Sequence, residues 1–151
     1  MDRYYRLCSA LNHQELLYHR AGQALPRQQQ ILWVWSGLML SYSEAGQSAQ
    51  ARTFVARTLQ CAESLLPQND PNLALILRRA ALVRSAEHEH ASARSLIERS
   101  LSILETLYGA ESVVLVESLH TYALILRAAK DGKTAKVVSM RIRQITRISA
   151  K

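Results

Sequence analysis

The sequence predicts an all-helical protein assembled from stacked two-helix units, and three observations carry that reading. Among 151 residues there are only five glycines and three prolines. Ala, Leu, Arg, Ser, Gln and Glu dominate, and most of these are good helix formers. The stretch "ARTFVARTLQCAESLL", from Ala51, is nearly restated by "ARSLIERSLSILETLY", from Ala93, 42 residues later. The segment ahead of each copy spaces its apolar residues at i, i+3 and i+4, which marks one buried helix face. A period of roughly 20–50 residues signals modules that cannot bury their own apolar face and therefore stack on one another.

In chain order, the first 25 residues predict one helix from Asp2 to about Gly22. It reads as a capping helix or a degenerate half-repeat, since "ELLY" from Glu15 echoes "ETLY" from Glu105. Pro26 opens the first full unit, spanning about 26–68, with "ILWVWSGLMLSYSEAG" as its first helix. In "LPQNDP", Asn69 or Asp70 is placed to cap the next helix and Pro71 to occupy its first turn. That second unit covers about 69–110. Gly109 ends it, and Glu111 or Ser112 starts the third, about 111–151. Gly46, "EHEH" and Gly132 interrupt the three pairs internally. The last helix, from Lys133 to about Ser149, has an apolar stripe of Val138, Ile142, Ile145 and Ile148 beside a basic row.

Aligned at the same offset, the copies share Ala51 with Ala93, Arg57 with Arg99, Leu59 with Leu101 and Glu63 with Glu105. A further step reaches Ala135, Arg141 and Ile145. The preceding helices match Trp35 with Leu77 and Leu119, Leu38 with Ala80 and Tyr122, and Met39 with Ala81 and Ala123, a predicted core. "SLHTYALILRAAKDGKTAK", from Ser118, resembles "SLNNLALLYRAQGRYEEAE" of the tetratricopeptide repeat family, in the 42-residue form found in kinesin light chains and many bacterial proteins. "PQNDPNLALILRRAALV" is similar to that family's "GPDHPDVATSLNNLALL", and the resemblance runs from about Ile31 to Ile145. It implies a right-handed alpha-alpha superhelix, a TPR-like solenoid of about three repeats, whose first helices line a concave groove for peptides or partner helices.

The family often places an Asn pair on that lining helix. Here the matching positions are Ser36 and Gly37, Arg78 and Arg79, and His120 and Thr121, so the pair is replaced by other polar groups. Arg78 suits a bidentate grip on a carboxylate. Trp33, Leu75, Leu82 and Arg127 are neighbouring groove candidates, with Leu40, Leu124, Ser43 and Ser85 beside them. This gives an apolar floor with cationic spots, or else Arg78 and Arg79 merely stand on a solvated face. Trp35 is expected in the core. Trp33 lies either in the groove or beneath the first helix.

Net charge is +7, but from Lys130 onward seven basic residues meet one acid, Asp131. Lys133, Lys136, Arg143 and Arg147 make the last helix basic, either as a solubilising end cap or as a contact for an acidic partner, with nucleic acid the lesser candidate. No apolar run reaches the roughly 18 residues of a membrane span, and no signal peptide is evident, so a cytoplasmic chain without a membrane partner is expected. Cys8 and Cys61 form no framework, and Cys61 reads as a small core residue. His88 and His90 lack further metal ligands, so neither metal nor cofactor is expected. Without a catalytic motif, the expected function is a non-catalytic interaction module such as an adaptor, scaffold or regulatory subunit. A secretion-type chaperone is an alternative, and uncovered repeat ends would permit a homo-oligomer.

Overall fold

In a computed structural model, residues 27–149 are described. Six α-helices follow one another there: α1 (Arg27–Glu44), α2 (Ser48–Leu65), α3 (Pro71–Ala86), α4 (His90–Tyr108), α5 (Val116–Ala128) and α6 (Gly132–Ser149). A 3-10 turn, Val113–Leu115, leads into α5. No strand occurs among the described residues. The expectations for residues 1–25, Pro26 and Cys8 lie outside them. The described residues fall into two compact units, divided between Leu65 and Leu66.

Helices reverse direction within each pair by one recurring device. Gly46, His88 and Lys130 take left-handed backbone, with φ of 73°, 62° and 62°. The following N–H reaches back five residues in each case: Gln47 to the Tyr42 carbonyl, Glu89 to Arg84 and Asp131 to Leu126, at 2.8–2.9 Å. The left-handed residues themselves donate to Ser43, Ser85 and Arg127 at 3.0 Å. This is the Schellman cap, which satisfies carbonyls a helix end otherwise leaves open. The helices that follow begin at Ser48, His90 and Gly132, again 42 residues apart. Gly132 thus opens α6 and is not the interruption the sequence predicted. The left-handed station belongs to Lys130, because the cap requires a position two residues earlier.

The other breaks are capped by side chains. Asp70 Oδ1 accepts from Asn72 N–H at 2.7 Å, with Pro71 in the first turn of α3. Ser112 Oγ accepts from Val114 N–H at 3.3 Å, and Gly109 ends α4 with φ of 86°. Both fit the sequence reading, with Asp70 and Ser112 the residues chosen.

In the first unit, α1 packs along α2. Leu32, Trp33, Met39, Ala51, Val55 and Ala62 are buried. The rings of Tyr42 and Phe54 stack with centroids 5.3 Å apart. In the second unit, α3 packs along α4, α5 along α6, α4 against α5, and α3 also meets α5. Leu77, Ile97, Leu119, Ile125 and Ile145 lie among its fully buried side chains. Ala51, Ala93 and Ala135 hold the same early turn of α2, α4 and α6, all at most 3% exposed. Small side chains there let paired helices approach closely. Buried Ser100 uses such proximity, its hydroxyl donating to the Ala74 carbonyl at 2.7 Å across α3 and α4.

Four core expectations shift. Trp35 and Leu38 are half-buried, whereas Trp33 is buried. The inward face of α1 follows Leu32, Trp33, Ser36 and Met39, a spacing that leaves position 35 to the side. In α6, Val138, Ile142 and Ile145 are buried, but Ile148 is 48% exposed in the last turn. Cys61 is half-buried.

Replacing Lys130 or His88 by Gly removes the Cβ penalty of left-handed backbone and is expected to stabilise the fold by about 0.5–1 kcal/mol. Gly46→Ala has open space around its new methyl, so backbone strain alone should cost about 1 kcal/mol. Urea unfolding midpoints measure all three. Leu77→Ala, which empties a fully buried site, is expected to cost about 2–5 kcal/mol by the same measurement.

Candidate functional site

The strongest candidate surface lies within the second unit, where α3 and α5 meet. On α5, Leu119, Tyr122, Ile125 and Leu126 turn inward. Glu117, His120, Leu124 and Arg127 remain exposed, at i, i+3, i+7 and i+10 along one face. On α3, Leu75, Arg78, Leu82 and Ser85 keep the same helical spacing and are half-buried. Arg78 Nη1 meets Glu117 Oε1 at 2.8 Å, tying the two faces together. The Arg78 side chain is only 14% exposed, against 76% for Glu117. Arg78, expected to wait for a partner's carboxylate, is therefore engaged by one of its own.

Beside it, the Arg79 guanidinium is lowered from the usual arginine range, first by burial and then by Arg78, with Glu117 opposing the shift. Arg127 Nη2 donates to Ser139 Oγ at 3.3 Å, a weak contact in exposed surroundings. His120 and Leu124 are exposed.

Three predicted groove residues are buried instead of accessible. Trp33 is buried. Ser36 is fully buried, its hydroxyl donating to the Trp33 carbonyl at 2.9 Å. Thr121 is buried, its hydroxyl donating to the Glu117 carbonyl at 3.2 Å. Short hydroxyl side chains readily bond to the preceding helical turn, so a polar residue at a groove-like position need not point outward. Leu75, Arg78, Arg79 and Leu82 remain partly accessible, and His120 and Arg127 fully so.

The second candidate surface is α6. Lys133, Lys136, Arg143 and Arg147 are exposed, and the helix contains no acidic residue. Its fifth cation is committed: Arg141 pairs with Glu105 at 2.7 Å and donates to the Ala110 carbonyl at 2.8 Å. Val137, Met140 and Ile148 are exposed alongside.

A polar network that the repeat alignment did not reveal joins α4, α5 and the turn before α6. The Tyr122 hydroxyl donates to Glu98, which also accepts from Arg94 at 2.8 Å. Arg94 lies 3.6 Å from Asp131, whose carboxylate accepts from Thr134 N–H at 3.1 Å and caps α6. Burial first, and the Glu98 bond second, push the Tyr122 hydroxyl up to about 12. The Tyr122 hydrogen bond foremost, then Arg94, hold Glu98 below the usual carboxylate range. Tyr122 aligned with Leu38 and Ala80, and its extra hydroxyl was the only available hint.

At the turn between α3 and α4, the rings of His88 and His90 stand edge to face with centroids 6.0 Å apart. No group of three His, Cys, Asp or Glu side chains among the described residues could hold a metal ion. Arg84 meets Glu89 at 3.0 Å and the largely buried Glu87 at 3.8 Å. This stretch, which interrupts the second pair, is thus tied down on its acidic side. No helix among the described residues is long and apolar enough to cross a membrane.

Tyr122→Phe is expected to lower stability at neutral pH by about 1 kcal/mol, less than is usual for a hydrogen bond to a charged group, because Glu98 is exposed. The depressed Glu98 contributes above the unfolded carboxylate range and loses that contribution as pH falls through and below it. The raised Tyr122 contributes fully below about pH 10 and loses its share as pH climbs toward 12. The gap between wild type and variant should therefore narrow at both extremes, as read from urea unfolding across pH.

No protein-family model and no curated protein sequence matches the chain.

Proposed function

We propose that the chain is a non-catalytic protein-interaction module, a TPR-like stack of helix pairs whose α3–α5 face receives a peptide or helix of a partner protein. Two features support the stacked-repeat part of the reading. One is the Schellman cap recurring at Gly46, His88 and Lys130. The other is the equivalent burial of Ala51, Ala93 and Ala135. The observation that carries the binding part is a single one. Leu75, Leu82 and Leu124 remain half or fully accessible on one face, next to exposed His120 and Arg127.

Such a face offers apolar anchoring sites with positive and hydrogen-bonding groups at their edge, the arrangement by which grooves take amphipathic helices or extended peptides. A partner segment with Leu-like anchors and one or two carboxylates fits it. The carboxylates would meet His120 and Arg127, because Glu117 already occupies Arg78.

A peptide library panned on the full chain tests this. Enriched peptides are expected to combine leucine-like anchors with acidic groups. A His120→Ala, Leu124→Ala, Arg127→Ala variant should bind them about tenfold more weakly, with an unchanged circular dichroism spectrum. Equal binding by that variant would remove the α3–α5 face from consideration.

A further inference from the structure

Helix α4 shows how a second helix of a pair receives what comes next. Three of its residues reach the following pair: Arg94 approaches Asp131, Glu98 accepts from Tyr122, and Glu105 pairs with Arg141. Leu101, at helical spacing on the same face, is buried. Forty-two residues on, the same stations of α6 hold Lys136, Met140, Arg143 and Arg147. All four are exposed, Met140 by 59%. The three cations form no ion pair among the described residues. Val137 and Ile148, 60% and 48% exposed, flank Met140 along the helix. The face by which α4 carries another helix is thus repeated on α6 in altered chemistry. Where α4 offers one cation, two carboxylates and a leucine, α6 offers three cations and a methionine.

We propose that this face of α6 docks an acidic amphipathic helix of a partner protein. Its carboxylates meet Lys136, Arg143 and Arg147, and its apolar side packs on Val137, Met140 and Ile148. Complementary charge at such an edge steers association and selects the partner.

Other occupants fit less well. A second copy of this chain has no acidic helix to offer. Its 12 acidic residues are scattered, and the densest cluster, Glu87 with Glu89, is held by Arg84. Two copies meeting α6 to α6 would oppose like charges. Nucleic acid would use the cations but leave Val137, Met140 and Ile148 in water. A lipid surface needs a broad apolar helix face, and the main stripe of α6, Val138, Ile142 and Ile145, is already buried. The proposal is independent of the α3–α5 face.

Fluorescence anisotropy on the full chain tests it. The probe is a labelled, designed amphipathic helix with leucines on one side and glutamates at their edges. Saturable binding is expected, weakening as salt rises. Lys136→Glu with Arg143→Glu should weaken it about tenfold, and a probe with lysines in place of the facing glutamates should restore binding to that variant. The His120→Ala, Leu124→Ala, Arg127→Ala variant should bind like wild type. Lys136→Gln with Arg143→Gln serves as a milder pair should charge reversal disturb the fold. Absence of saturable binding, undiminished binding by both charge variants, or tighter binding of duplex DNA or phosphatidylserine vesicles would overturn the proposal.

Discussion

The architecture depends on a chain reversal made three times in the same way. A helix arrives, one residue adopts left-handed backbone, and the next N–H closes a bond five residues back. The reversal fixes where the second helix starts, and so which of its faces meets the first. Alanines at positions 51, 93 and 135 are buried in the first turns of the second helix in every case. Only the first of the three reversals uses glycine. The other two tolerate His88 and Lys130, so packing and capping bonds outweigh the local conformational penalty, which is about 1 kcal/mol or a little more.

Much of this order was legible in the residues. The 42-residue echo, the "QNDP" start and the Gly109 stop located the helices to within a few residues. What escaped was whatever the echo did not constrain. Gly132 looked like the reversal because glycine is the usual choice, yet the geometry fell on Lys130. Trp35 aligned with core leucines, but the inward face of α1 runs through Trp33. Tandem copies agree in the turns, where backbone geometry is exacting. They agree less on helix faces, where a rotation of a fraction of a turn exchanges one tryptophan for another.

The candidate surfaces were less legible still, for an electrostatic reason. Sequence lists cations without saying which are already satisfied. Arg78 and Arg141 are matched by Glu117 and Glu105, contributed by other helices. Those pairings depend on distances that only the packed chain defines. Arg78 and Arg141 become ties between helices, leaving His120, Arg127 and the exposed cations of α6 as the outward-facing groups. Ser36 and Thr121 follow the same logic, since their hydroxyls are consumed by their own helices.

The short reversals bear on how the chain reaches its fold. In each pair the two helices are joined by only a few residues, so their contacts close small loops. Chains rich in such local contacts form quickly, because little entropy is lost before contacts begin to reward it.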